Sequence, residues 1–211
     1  MRSADATTIL RTLMVFLIAY LVIIKFSPLI TILLILVMYV LDAVDGYFAI
    51  RSASKGSVGF IEYIKASIGN NQEAKEKMSK FKHIAKKDSK FGPRIDIAGD
   101  RVIEYTFWIL FTYLRLIPLF VVFIIIFRHS FVDALMASRG TSSKPKTRFA
   151  RIIYSSNIGR GGINVVKFLA FAYFVLVYVS SYPLWVGYIL IAVLVIYIVL
   201  RGIAEAYDVL S

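Results

Sequence analysis

The sequence predicts an all-α polytopic membrane protein, with six transmembrane helices and a cytoplasmic helical insert between the second and the third. Three observations carry that prediction. Of 211 residues, 59% are hydrophobic and the mean hydropathy is +0.74, more apolar surface than a soluble domain of this length can bury. The apolar residues gather into six stretches, each long enough to cross roughly 30 Å of hydrocarbon. The 25 Lys and Arg, finally, are concentrated in two polar segments.

The first span runs from about Thr8 to Ile24 and the second from about Pro28 to Ile50. The third covers about Ile95 to Leu114 and the fourth about Ile117 to Ala137. The fifth is clearest from Val165 to Val179, and the sixth spans about Tyr182 to Leu200. Short polar or proline-bearing breaks separate members of each pair: Lys25 to Pro28, Arg115 to Pro118, and Ser180 to Pro183. No cleavable leader pattern precedes the first span, so it is expected to be retained. Residues 1–211 read as a single membrane domain, and the absence of cysteine excludes disulfides and thiolate chemistry.

Charge sets the expected orientation. Twelve Lys and Arg lie between Arg51 and Arg101 and seven more between Arg139 and Lys167, whereas the opposite turns carry only Lys25 and Arg115. By the positive-inside rule both basic segments and both termini face the cytoplasm. The net charge of +12 fits anionic lipid or an anionic substrate in so apolar a chain, and no nucleic-acid partner is expected. The insert, residues 52–90, includes a plausible amphipathic helix from Gln72 to Lys87 with apolar Met78, Phe81, Ile84 and Ala85. It reads either as a solvated helix or as one resting on anionic headgroups.

Four carboxylates stand out. Asp42 and Asp45 end the second span, and Asp96 and Asp100 begin the third. Spacings of three and four residues put each pair on one helix face, and antiparallel neighbours can bring the faces together. Asp96 and Asp100 could be ordinary first-turn acids, favoured by the helix dipole. Asp42 and Asp45 have no such excuse, since negative charge is disfavoured at a helix C-terminus beside hydrocarbon. Four converging carboxylates repel unless cations neutralise them, and oxygen ligands suit magnesium, manganese or calcium. Gly46 and Gly92 beside the pairs allow close approach of a phosphate or nucleotide, although Gly92 followed by Pro93 also suits a helix entry.

These residues resemble the CDP-alcohol phosphotransferases. That family carries Asp-x2-Asp-Gly-x2-Ala-Arg followed by Gly-x3-Asp-x3-Asp; here Asp42, Asp45, Gly46 and Ala49 are followed by Gly92, Asp96 and Asp100. Ile50 separates Ala49 from Arg51, and the insert replaces a short spacer. The stretch Thr8 to Arg11 is similar to Thr-Leu-Leu-Arg of bacterial phosphatidylglycerophosphate synthases. The resemblance implies metal-dependent transfer of a diacyl or archaeol phosphate group from a CDP-linked lipid donor to an alcohol acceptor, releasing CMP. It implies Asp42, Asp45, Asp96 and Asp100 as ligands of two Mg2+ or Mn2+ ions, with Asp100 also the general base. Asp42, Gly46, Ala49, Arg51, Gly92 and Asp96 would hold CDP, and Arg11 a lipid phosphate or headgroup. A homodimer among membrane lipids, in a prokaryotic plasma membrane with the site at the cytoplasmic face, follows from the same resemblance.

The acceptor is less constrained. Arg128 lies deep in an apolar run, where a cation is expensive unless it snorkels or is used. With Arg139, Lys144, Lys146 and Arg148 it forms a candidate acceptor-phosphate cluster, although positive-inside charge alone accounts for loop cations. Ser143-Lys144-Pro145-Lys146-Thr147 is similar to Gly-Lys-x-Lys-Thr of the same synthases, which favours glycerol 3-phosphate over inositol phosphate or another alcohol. Glu104 either extends the carboxylate face or pairs with Arg101; His129 reads as a packing or headgroup contact; His83 and Asp133 have no assigned role. Two other classes compete: a divalent-cation transporter, disfavoured because the aspartates cluster at one face, and a lipid-holding scaffold built on the basic insert.

Overall fold

The computed structural model describes residues 3–54, 56–63, 78, 80, 81, 84, 92–139, 147 and 157–210. Among them the long elements are all helices: α1 (Ser3–Ile23), α2 (Pro28–Ala53), α3 (Gly92–Tyr113), α4 (Leu119–Arg139), α5 (Asn157–Ser180) and α6 (Leu184–Leu210). No strand occurs among the described residues.

The three expected breaks share one construction. Lys25, Arg115 and Ser181 each take a left-handed conformation, with φ of 52°, 59° and 56°. At Lys25 the amide donates to the Val22 carbonyl and the Phe26 amide to Leu21, both at 2.9 Å. At Arg115 the corresponding bonds run to Thr112 and from Leu116 to Phe111. This paired pattern satisfies carbonyls that a helix end otherwise leaves open. Pro28, Pro118 and Pro183 follow within three residues of these turns. A proline cannot extend the old helix, and its fixed φ suits the entry to the next one.

Burial follows helical stripes. On α1 the buried positions are Thr8, Arg11, Val15, Ile18 and Val22, and on α2 Thr31, Ile35 and Met38, a stripe that reaches Asp42 one turn later. Hydroxyls along these helices bond back into their own turns, Thr12 to the Thr8 carbonyl at 2.8 Å and Thr31 to Ser27 at 3.0 Å. The opposite faces are large and apolar, with Leu13, Phe16, Tyr20 and Leu29 all at least half exposed. So much outward apolar surface is unfavourable in water and suits a hydrocarbon surround. Four helices are long and apolar enough to cross a membrane, at Ala6–Ile23, Leu119–Ala137, Gly162–Ser180 and Leu184–Leu210. In α2 the apolar part is shorter, Pro28–Asp42, and α3 holds five charged residues between its start and Glu104: Arg94, Asp96, Asp100, Arg101 and Glu104 itself.

Two helices differ from their predicted bounds. α5 starts at Asn157 rather than near Val165, through a glycine-rich turn that hydropathy does not mark. α6 continues past Leu200 to Leu210 because its buried stripe continues: Gly187, Ile191, Leu194 and Ile198 are followed by Gly202, Glu205 and Asp208. The stripe changes from apolar to charged without changing period, so a hydropathy criterion stops where the packing does not.

The chain divides into two compact units. Residues 1–20 and 33–106 form the first, and residues 21–32 and 107–211 the second. In the first, Ile50, Val58 and Met78 form a buried apolar cluster with Tyr63 and Phe81 packed against it. Met78 and Phe81 of the insert thus pack on protein, while Ile84 is 44% exposed. The remainder of the predicted Gln72–Lys87 helix, with His83 and Ala85, lies outside the described residues. In the second unit, α6 packs against both α4 and α5. Phe107, Phe111, Phe171 and Phe174 form its aromatic core, joined by Trp108 edge-on to Phe171.

A left-handed residue other than glycine costs roughly 1 kcal/mol. Arg115→Gly is therefore expected to raise stability by up to about that amount and Arg115→Val to lower it. Thermal unfolding in detergent, followed by circular dichroism, measures both.

Candidate functional site

Three of the four predicted aspartates converge. Asp42 on α2 and Asp96 and Asp100 on α3 each offer an oxygen to one focus, and these oxygens lie within 4.8 Å of one another. Their side chains are 27%, 53% and 47% exposed, so the cluster is open on one side. Asp45 and Gly46 lie one turn further along α2, as does Ala49 beyond them, but their side chains are outside the described residues. Gly92 is the first residue of α3.

Backbone proximity brings the carboxylates to α1. A Cβ added at Gly99 would stand 2.6 Å from the Thr8 methyl and 3.0 Å from the Thr12 hydroxyl. Only glycine lets α3 approach this face of α1 so closely. Gly99 lies between Asp96 and Asp100, and Arg11 lies between Thr8 and Thr12. The close approach therefore places the guanidinium among the carboxylates. Arg11 pairs with Asp42 through Nη1, and its Nη2 lies 3.4 Å from Asp96 Oδ1 and 3.2 Å from Asp100 Oδ1. Arg11 itself is only 2% exposed. The resemblance implied a lipid phosphate or headgroup for Arg11; in the structure its guanidinium also lies against carboxylates.

The donor set fits a hard divalent cation. Two oxygens on opposite sides of one ion stand about 4.2 Å apart around magnesium and about 4.8 Å around calcium, from bonds of about 2.1 and 2.4 Å. The separation of the triad's oxygens is compatible with such an ion, and its all-oxygen chemistry would favour a hard metal over a soft one. Glu104 is buried and pairs with Arg101 at 3.6 Å, one of the two roles the sequence offered it. Arg51 is exposed and donates to the Tyr47 hydroxyl at 3.1 Å, lying over that ring.

The second unit holds its own buried charges. Arg128, 8% exposed, donates from Nη2 to Glu205 Oε2 at 2.6 Å, and its Nη1 lies 2.9 Å from His129 Nδ1. Arg201 donates from Nε to the other oxygen of Glu205 at 2.8 Å. Gly202 is the saddle for this arrangement, since a Cβ there would stand 2.8 Å from the Arg128 side chain. Fully buried Asp208 accepts the backbone amide of Thr147 at 2.7 Å and its hydroxyl at 3.1 Å. Thr147 ends the Ser143–Thr147 motif; Lys144, Lys146, Arg148 and the Arg139 side chain lie outside the described residues.

Sequence reasoning missed Gly99, Arg201, Gly202, Glu205 and Asp208. For Gly99 the signal was its place between the two aspartates. For Glu205 and Asp208 it was the continuation of the α6 stripe at helical spacing. Comparison of the chain with protein-family models, curated proteins and solved structures gives no match.

Two substitutions test this description. Gly99→Ala is expected to cost about 1–3 kcal/mol by overpacking, and Thr8→Ala in the same chain to restore part of it. Glu205→Ala leaves two arginines without their shared carboxylate and should cost about 3–5 kcal/mol. Thermal melts of the purified variants in one detergent read both.

Proposed function

We propose that the chain is a metal-dependent membrane transferase of the CDP-alcohol phosphotransferase type. It would move a lipid phosphate group from a CDP-linked lipid to an alcohol, with glycerol 3-phosphate as the acceptor. The observation that carries the reading is the convergence of Asp42, Asp96 and Asp100 from two helices. Their spacing matches the family pattern, and Asp42 lies at the end of the apolar part of α2, where a carboxylate has few structural uses. In this reading α2 and α3 also cross the membrane, completing six spans. The insert and both termini face the cytoplasm, and the site opens at that face.

The chemistry balances with few parts. The acceptor hydroxyl oxygen attacks the phosphorus that bears the lipid, its bond to CMP breaks, and CMP leaves with the electron pair. Divalent ions, when bound, neutralise the diphosphate and stabilise the leaving oxygen. Asp100 takes the hydroxyl proton during attack, while Asp42 and Asp96, with Asp45, hold the ions. Gly46 and Gly92 leave room for the nucleotide beside α2 and α3. Arg128 is buried and bonded to Glu205, a carboxylate it shares with Arg201. The acceptor phosphate therefore falls to Arg139, Lys144, Lys146 and Arg148.

Purified protein given a CDP-linked lipid and magnesium should release CMP only when an acceptor is added. A panel of glycerol 3-phosphate, inositol phosphate, serine and inositol identifies which. Asp100→Asn should lower turnover at least about 100-fold while metal-dependent binding of the donor persists. Unchanged turnover removes the base from Asp100, and no CMP with any acceptor removes the enzyme reading.

A further inference from the structure

Arg11 occupies an unexpected position for a metal centre. Among the described residues, the three carboxylates whose oxygens define the metal focus all engage its guanidinium. A planar guanidinium presents donors in several directions and can bridge carboxylates on two helices at once. A divalent ion needs the same oxygens, and two cations at one focus repel each other strongly where water is scarce. Arg11 is also nearly inaccessible, so it cannot leave the carboxylates for solvent. If it moves, it needs another anion within reach of α1.

We propose that Arg11 is an exchangeable counter-ion. In the metal-free protein it pairs with the carboxylates; when a divalent cation takes them, the guanidinium passes to an anionic phosphate of the incoming donor. The inference rests on reading the aspartate triad as a metal site. It gives Arg11 both of the roles that sequence and structure assign, phosphate and carboxylate, in succession. It also makes metal and donor bind cooperatively. Metal alone has to displace a buried cation that has nowhere to go, whereas metal with a diphosphate supplies each charge with its partner. The coupling is reciprocal by linkage, so the donor in turn binds better when the metal is present.

The test uses the full chain in detergent micelles with Mn2+ alone as the probe, titrated by electron paramagnetic resonance. Arg11→Gln keeps a hydrogen-bond donor without the charge, and should bind Mn2+ at least about tenfold more tightly than the unaltered chain. At saturating Mn2+ the same variant should bind a CDP-linked lipid more weakly. These opposite signs are the signature, because a purely structural role for Arg11 would weaken both. Arg11→Lys, whose point charge bridges the carboxylates less well, should fall between the two for Mn2+, and decides the question alone if the glutamine variant does not fold. Equal or weaker Mn2+ binding by the variants overturns the exchange and leaves the metal site standing. No Mn2+ binding by any of the chains overturns both.

Discussion

A charge set inside an apolar helix has to be neutralised where it sits, and the described residues of both units show how this chain meets that requirement. In the first, Arg11 of α1 lies among Asp42, Asp96 and Asp100. In the second, Glu205 of α6 lies between Arg128 and Arg201. Much of the local geometry answers to these pairings. Gly99 lets α3 close on α1, and Gly202 lets the Arg128 side chain lie flat on α6. The two glycines do the same job in different places: each removes a side chain so that a buried cation reaches its carboxylate.

The two clusters differ in what they leave over. Around Glu205 two arginines share one carboxylate, and Asp208 nearby in sequence spends its oxygen on Thr147. That arrangement is buried and ties α4 to α6. Around Arg11 one cation faces three carboxylates, two of them about half exposed. Its charge is incomplete and its open side is accessible, which is the condition for binding something from outside. This contrast supports placing the chemistry at the aspartates and a structural tie at Glu205.

The helical class and the three short breaks were legible in the sequence, because hydropathy and proline report directly on where an apolar helix stops. Asp42, Asp96 and Asp100 were legible as well, since carboxylates at an apolar helix end have few uses. The partner of Arg11 was not, because an arginine near an N-terminus looks the same whether it faces headgroups or carboxylates; only the approach at Gly99 distinguishes them. Nor was the far end of α6. Glu205 and Asp208 read as the polar tail of a span, although their spacing from Ile198 continues the buried face. Length and charge conceal a stripe whose chemistry changes halfway along.

The left-handed residues at Lys25, Arg115 and Ser181 make the chain a string of three tight hairpins: α1 with α2, α3 with α4, and α5 with α6. The two long connections lie between hairpins and never within one. In the proposed six-span reading, each hairpin would insert into a bilayer as a unit, its returning helix bringing the polypeptide back to the side it left. Neither basic connection would then have to be carried through the hydrocarbon, and biogenesis would avoid the costliest translocation that this sequence contains.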